Sequence, residues 1–517
     1  MLERKIDYMS IRPTFMGFET AKRGLQINQK ALDVVSHNVA NIGVTGYTRQ
    51  RADQVSLHYN GMPSRYAESP VNLAGQGSMI SGVAQLRDPY LDKRFRQENS
   101  DIGYYGKNVN ILTDIETSLD EYSHDGIKTA LTKVFSAVSS LHTLTNPTNA
   151  NILRTACKSL TNVVEQYGRK LDNIKEQQRE DLSISVDEVN TILNKIVNLN
   201  NSISKDVFVA AGITNNYYGP SELLDERNLL IDQLSQYSDI EVITKPGNTV
   251  EIMMGGKKAI SVDSNGVSSS LSLAYVVDHN KDTTHVQWSD TGKDIDSSSG
   301  SLIASINMLN GEGPEAFGAV NVERGIPYYK RQMDMFASRF ADVFNHTIPK
   351  FDEQGKPIEN EFLTLFTTND GKITGINSND FKISEEWDND PNFIIIENSI
   401  NGAFDNTYYQ VMLDKLNGEH SFGDFSTEFS GTFEEFIKNY ATTLGEDITF
   451  HSGRMKASQA VGESVLDSIA AVSGVNMDEE GADMMAYQKI YSAMSRMMTV
   501  MDEALDTLIN RTGVVGR

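Results

Sequence analysis

The two ends of the chain carry its most regular pattern of hydrophobic positions. Apolar residues recur there at the heptad spacing of a helix that packs against another helix. At the N-terminal end the positions are Phe18, Ala21, Leu25, Asn28, Leu32, Val35, Val39 and Ile42. At the C-terminal end they are Met484, Tyr487, Tyr491, Met494, Met498, Met501, Leu505 and Leu508. Since a lone helix would expose such a stripe to water, we expect the terminal helices to pair as a coiled coil.

Helical spacing also dominates much of the chain between the two ends. Between Pro147 and Pro220 there is no proline, and apolar residues recur at the period of a helix. This predicts long helices there. Further amphipathic helices are predicted over about 88–119, 221–236 and 326–346. We expect these segments to form one helical body.

Two stretches have a different texture, with short β-branched runs broken by glycine, proline and asparagine. The first covers 240–263, with turn signals at Pro246-Gly247-Asn248 and Gly255-Gly256. The second covers about 351–429. Both patterns predict strands and hairpins. The predicted fold class is therefore mainly α with β-rich insertions, in which a discontinuous long-helix stalk carries small β domains inserted in the middle.

The pattern divides the chain into four predicted units. A length of 517 residues is compatible with several domains, since one domain takes ~150 residues. The units are a terminal coiled-coil domain made of 11–50 with 476–517, a helical stalk domain made of 51–239 with 302–349 and 430–475, and β-rich insertions at 240–301 and 350–429.

Composition narrows the classes of function. The formal net charge is −24, from 46 basic and 70 acidic residues, which disfavours nucleic acid as a partner. The single cysteine, Cys157, cannot form an internal disulfide or a thiolate metal cluster. No run of about 18 apolar residues predicts a membrane span, and the first twenty residues lack the apolar core of a cleaved secretory signal.

Motifs for catalysis, cofactors or metals do not emerge from the spacing of reactive residues. Ser36-His37 and His451-Ser452 lack an accompanying carboxylate pattern, and Gly255-Gly256-Lys257 lacks the spacing of a phosphate-binding loop. The segment around Asp370-Gly371 has Phe366 and Thr368 where a calcium loop has its first ligands. We therefore expect no catalytic residues, no bound cofactor and no metal.

The C-terminal seam is unusually rich in methionine. The residues are Met484, Met485, Met494, Met497, Met498 and Met501. Thioethers can bind soft metals, but no cysteine or histidine accompanies them here. Methionine also fills irregular gaps between packed helices, and this is the interpretation that we favour.

A specific motif lies at the end of the N-terminal seam. Ser36-His37-Asn38-Val39-Ala40-Asn41 is followed by Thr45-Gly46-Tyr47-Thr48-Arg49-Gln50, which reads as a helix end and a glycine-containing turn into an extended segment. At the far end, Asp478-Glu479-Glu480 precedes the second seam, which contains Leu505-Asp506-Thr507-Leu508-Ile509-Asn510. In this order, the two ends resemble the terminal signatures of bacterial flagellar rod, hook and hook-associated axial proteins.

Internal segments resemble one branch of that family. Tyr47-Thr48-Arg49-Gln50, the segment 87–96 and the segment 224–234 are similar to those of the members that join the hook to the filament. The resemblance covers most of 11–240 and 430–517 and is loose in the β-rich middle. It begins at Ile11-Arg12-Pro13-Thr14-Phe15, which leaves residues 1–10 outside the family pattern.

The resemblance implies a structural protein rather than an enzyme. Such a subunit is exported by the flagellar secretion apparatus without a cleaved signal peptide, lies outside the cell at the hook–filament junction, and is needed for filament assembly and motility. The implied partners are copies of itself in a helical tube, hook protein on the cell-proximal side, a second junction protein (hook-associated protein 3) on the distal side, and an export chaperone at the C-terminal helix, without nucleic acid or membrane insertion. Alternatives are a hook or distal-rod subunit and, less favoured, an axial protein with an enzymatic insert.

The predicted assembly residues combine the seams with the motif. They are Phe18, Leu25, Leu32, Val35, Val39, Asn41, Ile42, Gly46, Tyr47, Arg49, Met484, Tyr487, Tyr491, Met494, Met498, Met501, Leu505 and Leu508.

Overall fold

The structure, a computed structural model, describes residues 16–57, 77–121, 126–205, 220–314, 321–352, 356–396, 404–423 and 429–511. Its helices are α1 (Met16–Ala40), α2 (Pro89–Glu121), α3 (Ile127–Thr143), α4 (Pro147–Ser204), α5 (Ser221–Tyr237), α6 (Ser301–Asn310), α7 (Ile326–Asn345), α8 (Glu385–Asn389), α9 (Thr407–Asn417), α10 (Phe433–Ser473) and α11 (Met477–Asp506). A 3₁₀ turn covers Pro391–Ile394, and a π-helical turn, Thr507–Arg511, follows α11. Predictions for residues 1–15, 206–219 and 512–517 lie outside the described residues.

The strands form small antiparallel sheets. They are β1 (Gln50–Ser56), β2 (Ser78–Gln85), β3 (Ile240–Thr244), β4 (Val250–Met254), β5 (Lys257–Val262), β6 (Ser268–Ser270), β7 (Leu273–Asp278), β8 (Thr283–Trp288), β9 (Pro349–Phe351), β10 (Pro357–Phe362), β11 (Phe366–Thr367), β12 (Lys382–Ile383), β13 (His420–Ser421) and β14 (Ser430–Gly431). One sheet has four strands in the order β3-β4-β5-β6, and the others are pairs of sequential strands. The sheets therefore arise from local hairpins, as the turn signals predict.

The helix α4 is the spine of the body and runs unbroken for 58 residues. It begins where Pro147 occupies the first turn and the Asn146 side chain accepts a hydrogen bond from the Asn149 backbone N–H at 2.7 Å. Proline is favoured in a first turn because its missing N–H has no partner there anyway. The prediction of long helices after Pro147 is confirmed.

Polar side chains along α4 attach the other elements to it. In its C-terminal half, Asn190 and Asn200 donate to the backbone carbonyls of Leu273 and Val250, at 2.9 and 2.8 Å, and so hold strands β7 and β4. In its N-terminal half, Lys158 pairs with Asp388 of α8 at 2.8 Å. The two β-containing regions are thus fixed to opposite halves of one helix.

An aromatic cluster fills the core around α7. Phe336, Phe340 and Phe344 follow one face of this helix and are fully buried. The ring centroids of Phe336 and Phe340 are 6.1 Å apart and those of Phe340 and Phe344 are 4.9 Å apart. Phe433, at the start of α10, packs edge-on against Phe336 at 5.7 Å. Aromatic pairs in such geometries contribute about 1 kcal/mol each beyond area burial.

The fold class, mainly α with β-rich insertions, is confirmed. Two details differ from the sequence-based picture. The strands β4 and β5 of the four-stranded sheet and the strands β7 and β8 of a separate pair contribute residues to the same continuous hydrophobic core as the helices. Residues 407–417 form helix α9, because Tyr409, Met412 and Leu416 have helical spacing that the surrounding aspartates and asparagines obscured.

Candidate functional site at the terminal helix pair

The terminal helices α1 and α11 pack against each other in antiparallel orientation. A Cβ atom placed on Gly17 would lie 1.9 Å from Met501 Cε, and one placed on Gly24 would lie 3.0 Å from Met494 Sδ. One heptad forward along α1 thus corresponds to one heptad backward along α11. Further along the same register, Asn38 contacts Glu480. The predicted pairing of the two ends is therefore present.

The predicted seam residues of α11 face α1 only in part. Six are half-buried: Met484, Tyr487, Met494, Met498, Met501 and Leu505. Tyr491 is 36% exposed, and Leu508, which lies in the π-helical turn after α11, is 53% exposed. One partner helix therefore covers only part of the apolar surface of α11.

On α1, the close contacts involve small residues rather than the larger predicted ones. Val35 is buried, while Phe18, Leu25, Leu32 and Val39 are half-buried beside the seam. The holes that receive methionine side chains are at Gly17 and Gly24. Counting apolar residues cannot find such positions, because glycine contributes no side chain to the pattern. In the sequence, the seven-residue spacing of these two glycines could have indicated the contact.

An adjacent face of α1 packs on the antiparallel pair formed by β1 and β2. Ile27 is 5% exposed and lines a groove with Leu57, Met79 and Ile80. The helix α1 therefore contacts both α11 and this strand pair, which explains why its buried face is wider than a two-helix seam.

The chain reverses immediately after α1. The helix ends at Ala40, so Ile42 lies in the turn and is 41% exposed; its expected place in a helical seam is wrong. Asn41 donates to the backbone carbonyl of His37 at 2.9 Å and closes the helix end. Gly43 and Gly46 have φ of +83° and +82°, which glycine adopts without steric cost. This turn directs residues 47–50 back toward α11.

Asn38 is the centre of a buried hydrogen-bond network and is 1% exposed. Its Nδ2 donates to Gln50 O at 2.9 Å and to Glu480 Oε2 at 3.1 Å. Its Oδ1 accepts from Tyr47 OH at 2.8 Å and from Gln50 N at 3.0 Å. One amide side chain thus joins the end of α1, the start of β1 and the first turn of α11.

Arg49 adds a second link to the first turn of α11. Its Nη1 donates to Glu479 Oε2 at 2.6 Å, and its Nε forms an ion pair with Glu480 Oε1, also at 2.6 Å. Its backbone N–H donates to Ser473 O at 2.9 Å. Burial alone would lower the pKa of Arg49, but the bond to Glu479 and the charge of Glu480 outweigh it and raise the pKa. The guanidinium therefore stays charged beside carboxylates that also suit a helix N-terminus.

The motif is attached to the body through Asp225 of α5. Its carboxylate accepts from Thr48 N at 3.1 Å and from Gln85 Nε2 at 2.8 Å. Burial raises the pKa of Asp225 although these hydrogen bonds lower it. Burial also raises the pKa of Tyr47, and the charges of Asp225, Glu222 and Glu480 add to this. The Tyr47 hydroxyl therefore stays protonated and keeps its bond to Asn38.

A cluster of ion pairs lies next to Asp225. Arg87 and Arg96 donate to Asp92 and Asp232, respectively, each at 2.6 Å. Burial lowers the pKa of the neighbouring Arg227 to about 10, and the charges of Arg96 and Arg87 contribute. The segments 87–96 and 224–234, which the sequence singled out without assigning a role, therefore meet at the joint between the terminal pair and the body.

The described residues show no other arrangement that suggests a site for chemistry. Within the described ranges, no group of three or more His, Cys, Asp and Glu residues is placed to hold a metal ion. Cys157 is buried in the core, and this burial raises the pKa of its thiol. No described helix has the length and apolar character needed to cross a membrane.

Models of protein families match three parts of the chain. Residues 112–350 match the flagellar hook-associated protein FlgK helical domain. Residues 18–48 match the flagella basal body rod protein family, and residues 470–511 match the flagellar basal body rod FlgEFG protein C-terminal family. The last two matches coincide with α1 and α11.

Curated relatives match over nearly the whole chain. The flagellar hook-associated protein 1 of Bacillus subtilis is 28% identical over 98% of this chain and 99% of the relative. The proteins of the same name from Escherichia coli and Salmonella typhimurium are each 22% identical over 95% of this chain and 98% of the relative.

Among solved structures, the flagellar hook junction protein FlgK from Burkholderia pseudomallei aligns with 54% of this chain and 47% of that chain, at a TM-score of 0.41 and 16% identity. The aligned region is about half of that chain's length. The matches to family models at both ends and in the middle, together with the matches to full-length relatives, make the chain similar to the flagellar hook-associated protein 1 (FlgK) family.

Proposed function

We propose that this flagellar structural protein forms the junction zone between hook and filament and is needed for filament assembly and motility. It is exported by the flagellar secretion apparatus without a cleaved signal peptide and acts outside the cell. Its neighbours are copies of itself in a helical tube, hook protein on the cell-proximal side and hook-associated protein 3 on the distal side. The proposal is supported by the names of the full-length relatives and by the architecture of the terminal pair.

The observation that carries the proposal is the uncovered apolar face of α11. Ile490, Met497 and Val500, which share one side of α11, are 42%, 41% and 63% exposed, and Met485 is 60% exposed. Isolated exposed apolar residues are common, but a row of them along one helix indicates a surface that another molecule covers. Copies of the terminal pair placed side by side would cover it by a heterologous contact, which propagates around a tube.

The predicted assembly residues then divide into two roles. Val35, Met494 and Met501 hold α1 and α11 together, whereas the exposed Tyr491 faces neighbouring copies. Gly46, Tyr47 and Arg49 fix the angle of the pair on the body, and Asn41 closes the end of α1. In this arrangement the terminal pair is the inner layer, the helical body the next layer, and the regions 240–301 and 350–429 the outer surface.

Immunogold labelling of intact flagella with an antibody against residues 240–430 tests the location. A narrow band between hook and filament is expected. Label along the entire hook would instead indicate a hook subunit, and label below it a distal-rod subunit. Absence of label from all flagella would reject a flagellar location.

A pair of matched variants tests the surface. Val500→Lys places a charge on the uncovered face of α11, and Ile373→Lys places one on a residue of similar exposure, 56%, in the outer region. We expect V500K to abolish the band and filament growth, and I373K to leave both unchanged. Normal flagella with V500K would contradict an assembly role for this face.

Before assembly, the apolar surface of α11 that α1 leaves uncovered is exposed to water. We propose that an export chaperone holds α11 as an amphipathic helix in a groove. Deletion of residues 482–517 is expected to abolish chaperone binding in a pull-down, while I373K retains it. Unchanged binding of the deletion would reject this part of the proposal.

A further inference from the structure

Two methionines of the terminal pair lie against glycine. Met494 Sδ would be only 3.0 Å from a Cβ atom on Gly24, and Met501 Cε only 1.9 Å from one on Gly17. Both side chains are half-buried, so solvent reaches them while one side touches the backbone of α1. The contact depends on flexible, apolar thioethers, which are readily oxidised.

We propose that Met494 and Met501 form a modification site, at which a peroxide oxidant converts the thioethers to sulfoxides and separates α1 from α11. A sulfur lone pair attacks one peroxide oxygen, an S–O bond forms and the O–O bond breaks. The departing hydroxide takes the proton from the oxygen that is now bound to sulfur. The sulfur is thereby oxidised to a sulfoxide, and hydrogen peroxide is reduced to water. The inference concerns the helix pair itself and does not depend on where in the flagellum the protein lies.

The structure distinguishes these two methionines from others in the chain. Met333 and Met412 are completely buried in the body and shielded from a dissolved oxidant. Met485 and Met497 are 60% and 41% exposed, so a sulfoxide oxygen there would meet water. Met484 and Met498 are half-buried as well, but among the described residues only Met494 and Met501 lie against a glycine of α1.

The consequence of oxidation follows from the geometry of the glycine holes. A sulfoxide adds a polar oxygen to a side chain that already lies close to the α1 backbone: a Cβ atom on Gly17 would collide with Met501, and one on Gly24 would be in tight contact with Met494. It also places a strong hydrogen-bond acceptor in an apolar seam, which is costly when no donor is near. We therefore expect α1 and α11 to separate around Gly17 and Gly24.

The opposite end of the pair is held by different chemistry. Asn38, Arg49 and Glu480 connect the helices through hydrogen bonds and an ion pair, which peroxide leaves intact. Oxidation should therefore loosen residues 17–28 while residues 34–40 remain protected. Faster exchange that is confined to residues 17–28 would therefore distinguish separation of α1 from α11 from unfolding of the whole protein.

The test is hydrogen–deuterium exchange of the full chain before and after hydrogen peroxide treatment, with peptide mass spectrometry to locate sulfoxides. After oxidation we expect exchange in residues 17–28 to be about tenfold faster in the unmodified sequence. The variant M494L/M501L should show little acceleration. The control M485L/M497L should respond like the unmodified sequence. Treatment with a methionine sulfoxide reductase should restore protection.

Several results would overturn the proposal. These are equal acceleration in M494L/M501L, sulfoxides at both sites without faster exchange, absence of sulfoxides at these sites, or a seam that is unprotected before oxidation. If the double variant does not pair, M494L and M501L are measured singly. Each keeps one native thioether and should show an intermediate acceleration, whereas full acceleration in both would again contradict the proposal.

Discussion

Asn38 and Glu480 are 442 positions apart in the chain, yet the Asn38 amide donates to the Glu480 carboxylate at 3.1 Å. Each is 1% exposed. The bond is therefore shielded from water, and it joins the end of the first described helix to the start of the last. It ties the N-terminal motif to the first turn of α11.

Replacing Asn38 tests this network directly. Asn38→Ala would leave the Gln50 backbone and the Tyr47 hydroxyl without their partner, at a cost of about 2 kcal/mol. We expect amide exchange in α1 to be roughly 30-fold faster. Asn41→Ala is the matched control, because the Asn41 side chain bonds to His37 within the same helix end. Equal effects of the two variants would show that Asn38 is not the centre of the joint.

Arg49 should matter through the buried carboxylate that it neutralises. Arg49→Ala leaves Glu480 charged and buried, which costs about 3 kcal/mol. Differential scanning calorimetry should show the terminal pair melting earlier than the body. Arg51→Ala removes an arginine that is 61% exposed and paired with Asp53 in β1, and should change stability by less than about 1 kcal/mol. A similar loss in both variants would mean that general charge, not the Glu480 contact, stabilises the pair.

The glycine hole in α1 predicts a position-specific effect of side-chain size. Gly24→Leu must displace Met494 and should separate the helices, although leucine favours helix formation by about 1 kcal/mol over glycine. Gly453→Leu, in α10, meets no atom within 4 Å of its Cβ and should be neutral or slightly stabilising. Cysteine-specific crosslinking between engineered sites on α1 and α11 would detect the separation. Retained crosslinking in G24L would refute the close approach.

The hydroxyls of Tyr167 and Tyr440 lie 2.5 Å apart in the core between α4 and α10. Tyr440→Phe leaves the Tyr167 hydroxyl buried without this partner and should destabilise the body by about 1–2 kcal/mol. Replacing both tyrosines by phenylalanine removes both polar groups and should cost less than the single change. Urea denaturation of the single and double variants gives the coupling energy, and simple additivity would contradict a direct bond.

Acid should loosen the β7–β8 hairpin. Burial raises the pKa of Asp282, but bonds from Arg179 and Lys175 outweigh it and hold that pKa below its usual value of 3.8. The folded state therefore prefers the charged form. The stabilisation is present above the usual pKa and is lost as pH falls through the lowered value.

Asp282→Asn should consequently be less stable than the unmodified sequence at pH 7, and the difference should shrink toward pH 3. Unfolding midpoints in urea at several pH values measure this. Asp278→Asn serves as the control, since Asp278 accepts from the backbone N–H of Asn280 in the same turn and an asparagine oxygen can replace it. A difference for D282N that does not change with pH would reject the ionic contribution.

Local patterns in the sequence predicted much of the fold. The heptad spacing of Met484 to Leu505 located α11 and the face that meets α1, and the absence of proline after Pro147 predicted α4. The roles of Asn38, Asp225 and Glu480 were not predictable in this way. Each bonds to a residue remote in sequence, and such partners leave no periodic signal near either one. The contacts of Gly17 and Gly24 were not predicted for another reason. Glycine has no side chain, so it does not appear in a pattern of hydrophobic residues.

The continuity of α4 has a mechanical consequence. A helix of 58 residues is about 87 Å long, and it is not interrupted by a proline or a break in its hydrogen bonds. The region bound at Lys158 and the strands bound at Asn190 and Asn200 are therefore attached to the same continuous helix. Load applied to either end is transmitted to the other as rigid displacement. Movement of the two regions relative to each other would therefore require α4 itself to bend.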